Sequence, residues 1–235
     1  LGPITTSFWG FRPGEYIFHG SELKDKIRVA CQNFSAAEPA VQKAVEQISL
    51  GLVPFLEYRH GERFLAMFYG LEACRRFAAK EPSDDVRADT EKLLNALEAA
   101  KNATSDRVKE RLQGMINGIE RGPKVDLRIQ LEEVLDHWKV ERDDLWPVFG
   151  TETLPGLKNI RDKLSHKGGT AVNSGSIVIA TYHLSVLLER LVLAFLRMSL
   201  EGSTVSRQYL RDDSWCSPTV IQQERERAFA QPQWN

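Results

Sequence analysis

Arg161 and His166 are the pair in this chain whose types suit a reaction. They stand five apart in the run Asn159-Ile160-Arg161-Asp162-Lys163-Leu164-Ser165-His166-Lys167-Gly168. An imidazole with a pKa near neutrality takes a proton from a nucleophile or gives one to a leaving group. A guanidinium does neither at pH 7, but it holds a phosphate bidentately and stabilises charge that builds on it. Together they suit attack by a ribose 2′-hydroxyl on its own adjacent phosphodiester, a reaction that needs no metal. Between Gly156 and Gly169, Lys158, Arg161, Lys163 and Lys167 face Asp162 alone, a formal +3 in a chain whose total is −1. Lys158, Lys163 and Lys167 are therefore candidate phosphate-binding residues around the pair.

Spacing by itself is unspecific. A surface arginine and a histidine that favours a helix C-terminus would leave the same trace. Five residues along an α-helix turn about 500°, or roughly 140° around the axis, so the two side chains do not share a face. They converge only if the last turn before Gly168 loosens, if a cleft wraps the helix end, or if a second copy across a two-fold axis supplies the missing partner.

Several elements must position this run. Pro155 suits the first turn of the motif helix, Leu157, Ile160 and Leu164 point inward, and Gly168-Gly169 stops it. After a loop over 170–175, the longest helical pattern runs from about 176 to 200. Its stripe of Leu184, Leu187, Leu188, Leu191, Phe195 and Leu196 fits a core helix or a dimer face. Far upstream, 54–80 reads as a long helix with Phe64, Phe68 and Leu71 on one face, widened by Met67, Cys74 and Phe77. Before it, Ser35 and Glu38 form a capping-box pattern ahead of Val41, Val45 and Ile48, and Gly51 and Pro54 mark a break. Residues 84–101 and a segment capped by Thr104 or Ser105 predict two mixed-charge helices. A shorter amphipathic helix follows over 125–138, then an apolar connector over 145–150.

The ends read differently. Residues 1–34 mix aromatics with Gly and Pro, the texture of turns and short strands, and Ile27, Val29 and Cys31 alternate like one more strand. This segment is expected to be the remnant of an upstream β-containing domain or an arm on the helices. The first residue is Leu1, not Met, so either a fragment or a chain whose Met has been removed by trimming or processing is expected. Residues 35–202 are expected to form the helical domain, and 203–235 a polar C-terminal extension.

Composition narrows the class. Hydrophobic residues are 42% and charged residues 27%, and the net charge of −1 argues against a uniformly basic nucleic-acid coat, so any nucleic-acid contact must come from a local patch. Cys31, Cys74 and Cys216 are widely spaced with no CxxC, which argues against a disulfide framework or structural zinc and fits a reducing cytoplasm. No apolar run reaches the roughly 18–20 residues of a membrane span, the richest being interrupted by His183, Glu189, Arg190 and Arg197. No GxxxxGK[ST], GxGxxG or HExxH occurs, so no cofactor or metal is expected.

Other polar candidates carry weaker readings. Glu72 could pair with Arg161, or with Arg75 or Arg76 along its own helix. His60 is near a helix start and could reach a cleft or be solvated. His137 and His183 read as structural or surface residues. Ser165 lacks the glycine pattern of a nucleophile elbow.

The run from Asn159 to Gly168 resembles the R-x4-H motif of the HEPN superfamily, most closely the Apea-like HEPN domains of bacterial anti-phage proteins. The likeness covers roughly residues 50 to 200. It implies an all-α helical bundle and a metal-independent endoribonuclease acting in abortive infection. It also implies a homodimer whose two motifs meet in one cleft, RNA as the substrate, and an upstream sensor domain. Arg161 and His166 would be the catalytic pair. Asp162 takes the polar position, where the family more often has Asn. Related toxins under nucleotidyltransferase control often carry Tyr two residues after the histidine; Gly168 stands here, so that control is not implied. The alternative is a non-catalytic helical dimer that binds RNA or protein through the same basic patch. A purely structural dimer closed by the Leu184–Leu196 stripe is the third possibility.

Overall fold

The structure is a computed structural model that describes residues 17–18, 23–52, 59–78, 84–120, 126–167 and 171–230. Among them there is no strand, and the architecture is all-α. The helices are α1 (Leu23–Ala36), α2 (Pro39–Leu52), α3 (His60–Ala73), α4 (Asp84–Asn102), α5 (Asp106–Glu120), α6 (Leu127–His137), α7 (Leu157–Lys167), α8 (Ser174–Phe195), α9 (Arg207–Leu210) and α10 (Pro218–Arg227). The extended pairing found among these residues is one antiparallel bridge between Phe18 and Ser203.

Two sequence expectations give way here. The alternation of Ile27, Val29 and Cys31 belongs to α1, not to a strand. Ile27 and Val29 are exposed, so their period reflects no buried sheet face, and an Asp25–Arg28 ion pair one helical turn apart fits the helix instead. Ser35 is no N-cap, because α1 runs through it. The next helix starts at Pro39, whose fixed φ and missing N–H suit a first turn. The break expected at Gly51 and Pro54 is met, since α2 ends at Leu52 and α3 begins at His60. Gly51 itself has a packing role. It lies inside α2, where an added Cβ would sit 3.0 Å from Ala66 O and Met67 Cα of α3, so the glycine lets the two helices approach. Of the long helix expected over 54–80, residues 54–58 and 79–80 lie outside the described residues, and α3 passes into a 3-10 turn at Cys74–Phe77.

The chain divides into two compact units: residues up to Cys74 together with those from Val134 onward, and Arg75–Glu133. Residues 35–202, expected as one domain, thus contribute to both. In the smaller unit α4 and α5 pack against each other. Ser105 immediately precedes α5, and its carbonyl accepts the Val108 and Lys109 N–H groups. Ile116 is buried while Leu93, Val108 and Met115 are exposed.

In the larger unit α8 is the core helix. It packs against α2, α3, α7 and α10. Leu184, Leu187, Leu188, Leu191, Phe195 and Leu196 are all buried within this one chain, which removes that stripe as an open dimer face. Burial extends around the helix to Ser176, Thr181, His183 and Arg190. By length and composition α8 would also pass for a membrane span, but most of its apolar window is buried inside the protein. Phe64, Met67, Phe68 and Leu71 of α3 are likewise fully buried, each contributing about 1.5–3 kcal/mol to the core.

The segment after 202 is docked. The Ser176 hydroxyl donates to the Glu224 carboxylate and carbonyl, and Asn173 N–H donates to Ala228 O. Arg190 reaches out of α8 to fix the connector: its guanidinium meets both Asp144 carboxylate oxygens at 2.7 Å and donates to Glu141 O and Val205 O.

Candidate active site

The motif helix is launched by a tight turn. Leu157 and Lys158 N–H groups donate to Pro147 O and Val148 O, both at 2.9 Å. Asn159 Oδ1 accepts the Gly156 N–H at 2.9 Å, the reach-back half of a capping box. The helix therefore begins at Leu157, two residues after Pro155. Gly150 and Gly156 pass backbone against backbone: a Cβ on Gly150 would lie 2.6 Å from Leu154 O and 2.7 Å from Gly156 N. Leu157, Ile160 and Leu164 face the core as their spacing predicts, which turns the polar side of α7 outward.

Arg161 is held from two sides. Its guanidinium meets Glu72 of α3 at 2.8 and 3.0 Å, and donates to Asp162 Oδ1 at 3.1 Å. Burial pulls its pKa down, but the Glu72 charge and the hydrogen bonds of both carboxylates outweigh this and raise it. Tyr69, one turn before Glu72 and half exposed, places its ring 5.8 Å from Arg161 Cζ. Arg161 Nε is buried and has no hydrogen-bond partner. Of the two readings open for Glu72, the ion pair with Arg161 is the one present.

Asp162 also accepts from Lys158 Nζ at 2.6 Å. Lys158, Asp162, Arg161 and Glu72 therefore form one chain of charges with no net charge among them. Lys163 turns elsewhere and lies 5.1 Å over the Phe229 ring. Lys167 is the last residue of α7, and its side chain lies outside the described residues, as do Gly168 and Gly169.

His166 is exposed. Because α7 stays α-helical through Lys167, the last turn does not loosen, and Arg161 and His166 remain roughly 140° apart. His166 instead follows Asp162 by one turn on the Lys158–Asp162 stripe. The structure thus joins Arg161, Asp162, Lys158 and Glu72, and leaves His166 beside them rather than among them.

No family model, curated protein or solved structure matches the chain. What the site can do follows from its own residues.

The remaining candidates separate cleanly. His183 is fully buried, with Nε2 3.0 Å from Trp215 O, and burial pushes its pKa down to about 4. It is a neutral core residue. His60 opens α3, where burial and then the Arg63 charge lower its pKa. His137 and Ser165 are exposed. Among the described residues no group of three or more His, Cys, Asp or Glu side chains is placed to hold a metal ion.

Tyr69, Asn159, Phe229 and Asp144 were not singled out by the sequence reading. Only Asn159 carries a local signal, a polar side chain three residues after a helix-starting glycine. The others depend on contacts between distant segments.

Proposed function

We propose that α7 carries the active site of a metal-independent endoribonuclease of the HEPN type, working as a homodimer in anti-phage defence by abortive infection. The observation that supports this is the fixing of Arg161 by Glu72 and Asp162 on a helix whose next turn presents His166 to solvent. A guanidinium positioned in advance reaches a phosphate at low entropic cost. An exposed imidazole is free to exchange protons with a substrate.

His166 takes the proton of a ribose 2′-hydroxyl. The 2′-oxygen bonds to phosphorus as the bond to the 5′-oxygen breaks, the 5′-oxygen leaves with a proton taken from solvent, and His166 releases its own proton to solvent. A 2′,3′-cyclic phosphate and a 5′-hydroxyl result, with no water or electron consumed. Arg161 stabilises the charge on the phosphoryl oxygens, and Lys163, once it swings off the Phe229 ring, guides the strand together with Lys167. One helix cannot aim both groups at one phosphate, so a second copy supplies the histidine opposite each arginine.

A second reading is a non-catalytic helical dimer that binds RNA or protein. It is favoured by the neutrality of the Lys158–Asp162–Arg161–Glu72 chain.

The deciding experiment incubates purified protein with RNA in EDTA and maps the ends. Cleavage to cyclic-phosphate ends is expected. His166→Ala should slow it about 10²–10⁴-fold with an unchanged urea midpoint, since the residue is exposed. Equal rates from wild type and His166→Ala sink the nuclease. No cleavage by any form, with RNA affinity lost in Arg161→Ala, establishes the binding module instead.

A further inference from the structure

A cleft of about 500 Å³ opens in the larger unit away from the motif residues of α7, between the 143–147 connector, α9 and the first turn of α10. Its volume lies in the range of small-ligand sites. Its walls are of two kinds. Leu145, Leu210 and Ile221 give it an apolar side, while Arg207, Arg211 and Arg225 bring three guanidiniums to it.

These arginines are not consumed by the fold in the way Arg190 is. The side chains of Arg207 and Arg211 make no hydrogen bond or ion pair among the described residues, and both are exposed, although Arg207 lies close enough to Asp144 to help lower its pKa. They are four residues apart, Arg207 opening α9 and Arg211 capping its C-terminus. Arg225 is half-buried and anchored, donating to Pro155 O at 2.9 Å and Leu154 O at 3.3 Å.

The counter-charges are few. Asp144 lines the cleft, but both its oxygens are taken by Arg190. Asp143 is an exposed carboxylate at the same wall. Among the residues that line the cleft, three arginines meet two carboxylates, a formal +1. The first turn of α10 also faces the cleft and adds the positive end of a helix dipole. Cys216 lines the cleft, yet burial pushes its thiol up to about 12, so it is a wall and not a nucleophile.

Guanidiniums in a concave site recognise multiply charged phosphate oxygens bidentately, and the apolar side has room for a flat organic body. We propose that this cleft binds a small phosphate-bearing ligand of nucleotide size, its phosphates on Arg207 and Arg211 and its body against Leu145, Leu210 and Ile221. The site stands independently of any ribonuclease activity at α7.

The test is calorimetric titration of the full chain at low salt with ADP, inorganic pyrophosphate and adenosine. ADP should bind tightest, pyrophosphate less well and adenosine weakest. The exposed pair Arg207→Ala/Arg211→Ala should weaken ADP about tenfold for each guanidinium lost at an unchanged melting temperature. Asp143→Asn should tighten it, and Arg161→Ala should leave it as it was. Absence of ADP binding to the wild type overturns the proposal. So does ADP binding no tighter than pyrophosphate, or affinity equal in the double variant. A short 5′-phosphorylated RNA that binds through Arg207 and Arg211 more tightly than ADP overturns the small-ligand assignment.

Discussion

Arg190 has no exposed side-chain surface, while Arg161 keeps a quarter of its own. Arg190 meets Asp144 through two parallel contacts and spends further donors on two carbonyls, joining α8 to the connector and to Val205. Burial pushes the Asp144 carboxyl up, but the hydrogen bonds and charge of Arg190 outweigh it and hold it below its usual value. Arg161 is held by two carboxylates from different helices, sits beside an exposed tyrosine, and leaves one buried nitrogen unpaired. The first assembly is closed around its own donors. The second is held in place but still open to a partner.

The largest expected effect tests that contrast directly. Arg190→Ala strands Asp144 and two carbonyls and should cost about 3–5 kcal/mol. Arg161→Ala leaves two partly solvated carboxylates and should cost about 1–2 kcal/mol. Urea midpoints of both variants measure this. If Arg161→Ala costs as much as Arg190→Ala, the α7 assembly is a structural clamp and the contrast fails.

The closed region should also dominate the pH dependence. His183 sits among Tyr182, Asp213, Trp215, Asp144 and Arg190, with its pKa depressed from 6.5 to about 4. In the unfolded chain it takes up a proton that the folded chain refuses. Its contribution is therefore fully present above about pH 6.5 and is lost as pH falls towards 4. The full span is on the order of 3 kcal/mol. Unfolding free energies at pH 7 and pH 5 should differ in that sense, and His183→Gln should flatten this part of the profile. A wild type equally stable at both values would show that the imidazole is not neutral inside.

What was legible in the sequence follows the same division. The inward faces of α7 and α8 could be read because Leu157, Ile160, Leu164 and the Leu184–Leu196 stripe repeat at helical spacing, and burial follows period. Ile27 and Val29 misled because five alternating residues fit a strand as well as an exposed helix. The partners of both arginines were hidden for a different reason. Asp144 lies 46 residues from Arg190, and Glu72 lies 89 from Arg161. No local pattern records such a contact. By sequence Glu72 has two possible pairings, and nothing local marks Asp144.

Glu72→Gln sharpens the open side. It keeps the shape of the partner but removes its charge from Arg161. Stability should stay within about 1 kcal/mol of wild type. If Glu72 positions the guanidinium for the transition state, kcat should fall about tenfold with KM little changed. A faster enzyme would mean that Glu72 restrains Arg161 and competes with the phosphate.

The smallest expected effect concerns Asp162, which touches both Lys158 and Arg161. Its carboxylate has two opposed consequences. It aligns Arg161, and it places a negative charge where a phosphate would approach. Asp162→Asn keeps the hydrogen-bonding shape and removes the charge, which releases Lys158 and raises the local formal charge from +3 to +4. Pairs that keep about a third of their side-chain surface in solvent contribute about 0–1 kcal/mol, so stability should hardly move. RNA affinity should rise a few-fold at low salt, and its logarithm should fall more steeply with log salt concentration because one more cation is available to displace counterions. Binding measured at two salt concentrations separates the roles. Tighter, more salt-sensitive binding means that Asp162 screens the site. Weaker binding with an unchanged salt slope means that its main work is to hold Arg161, which would draw the open assembly closer to the closed one around Arg190.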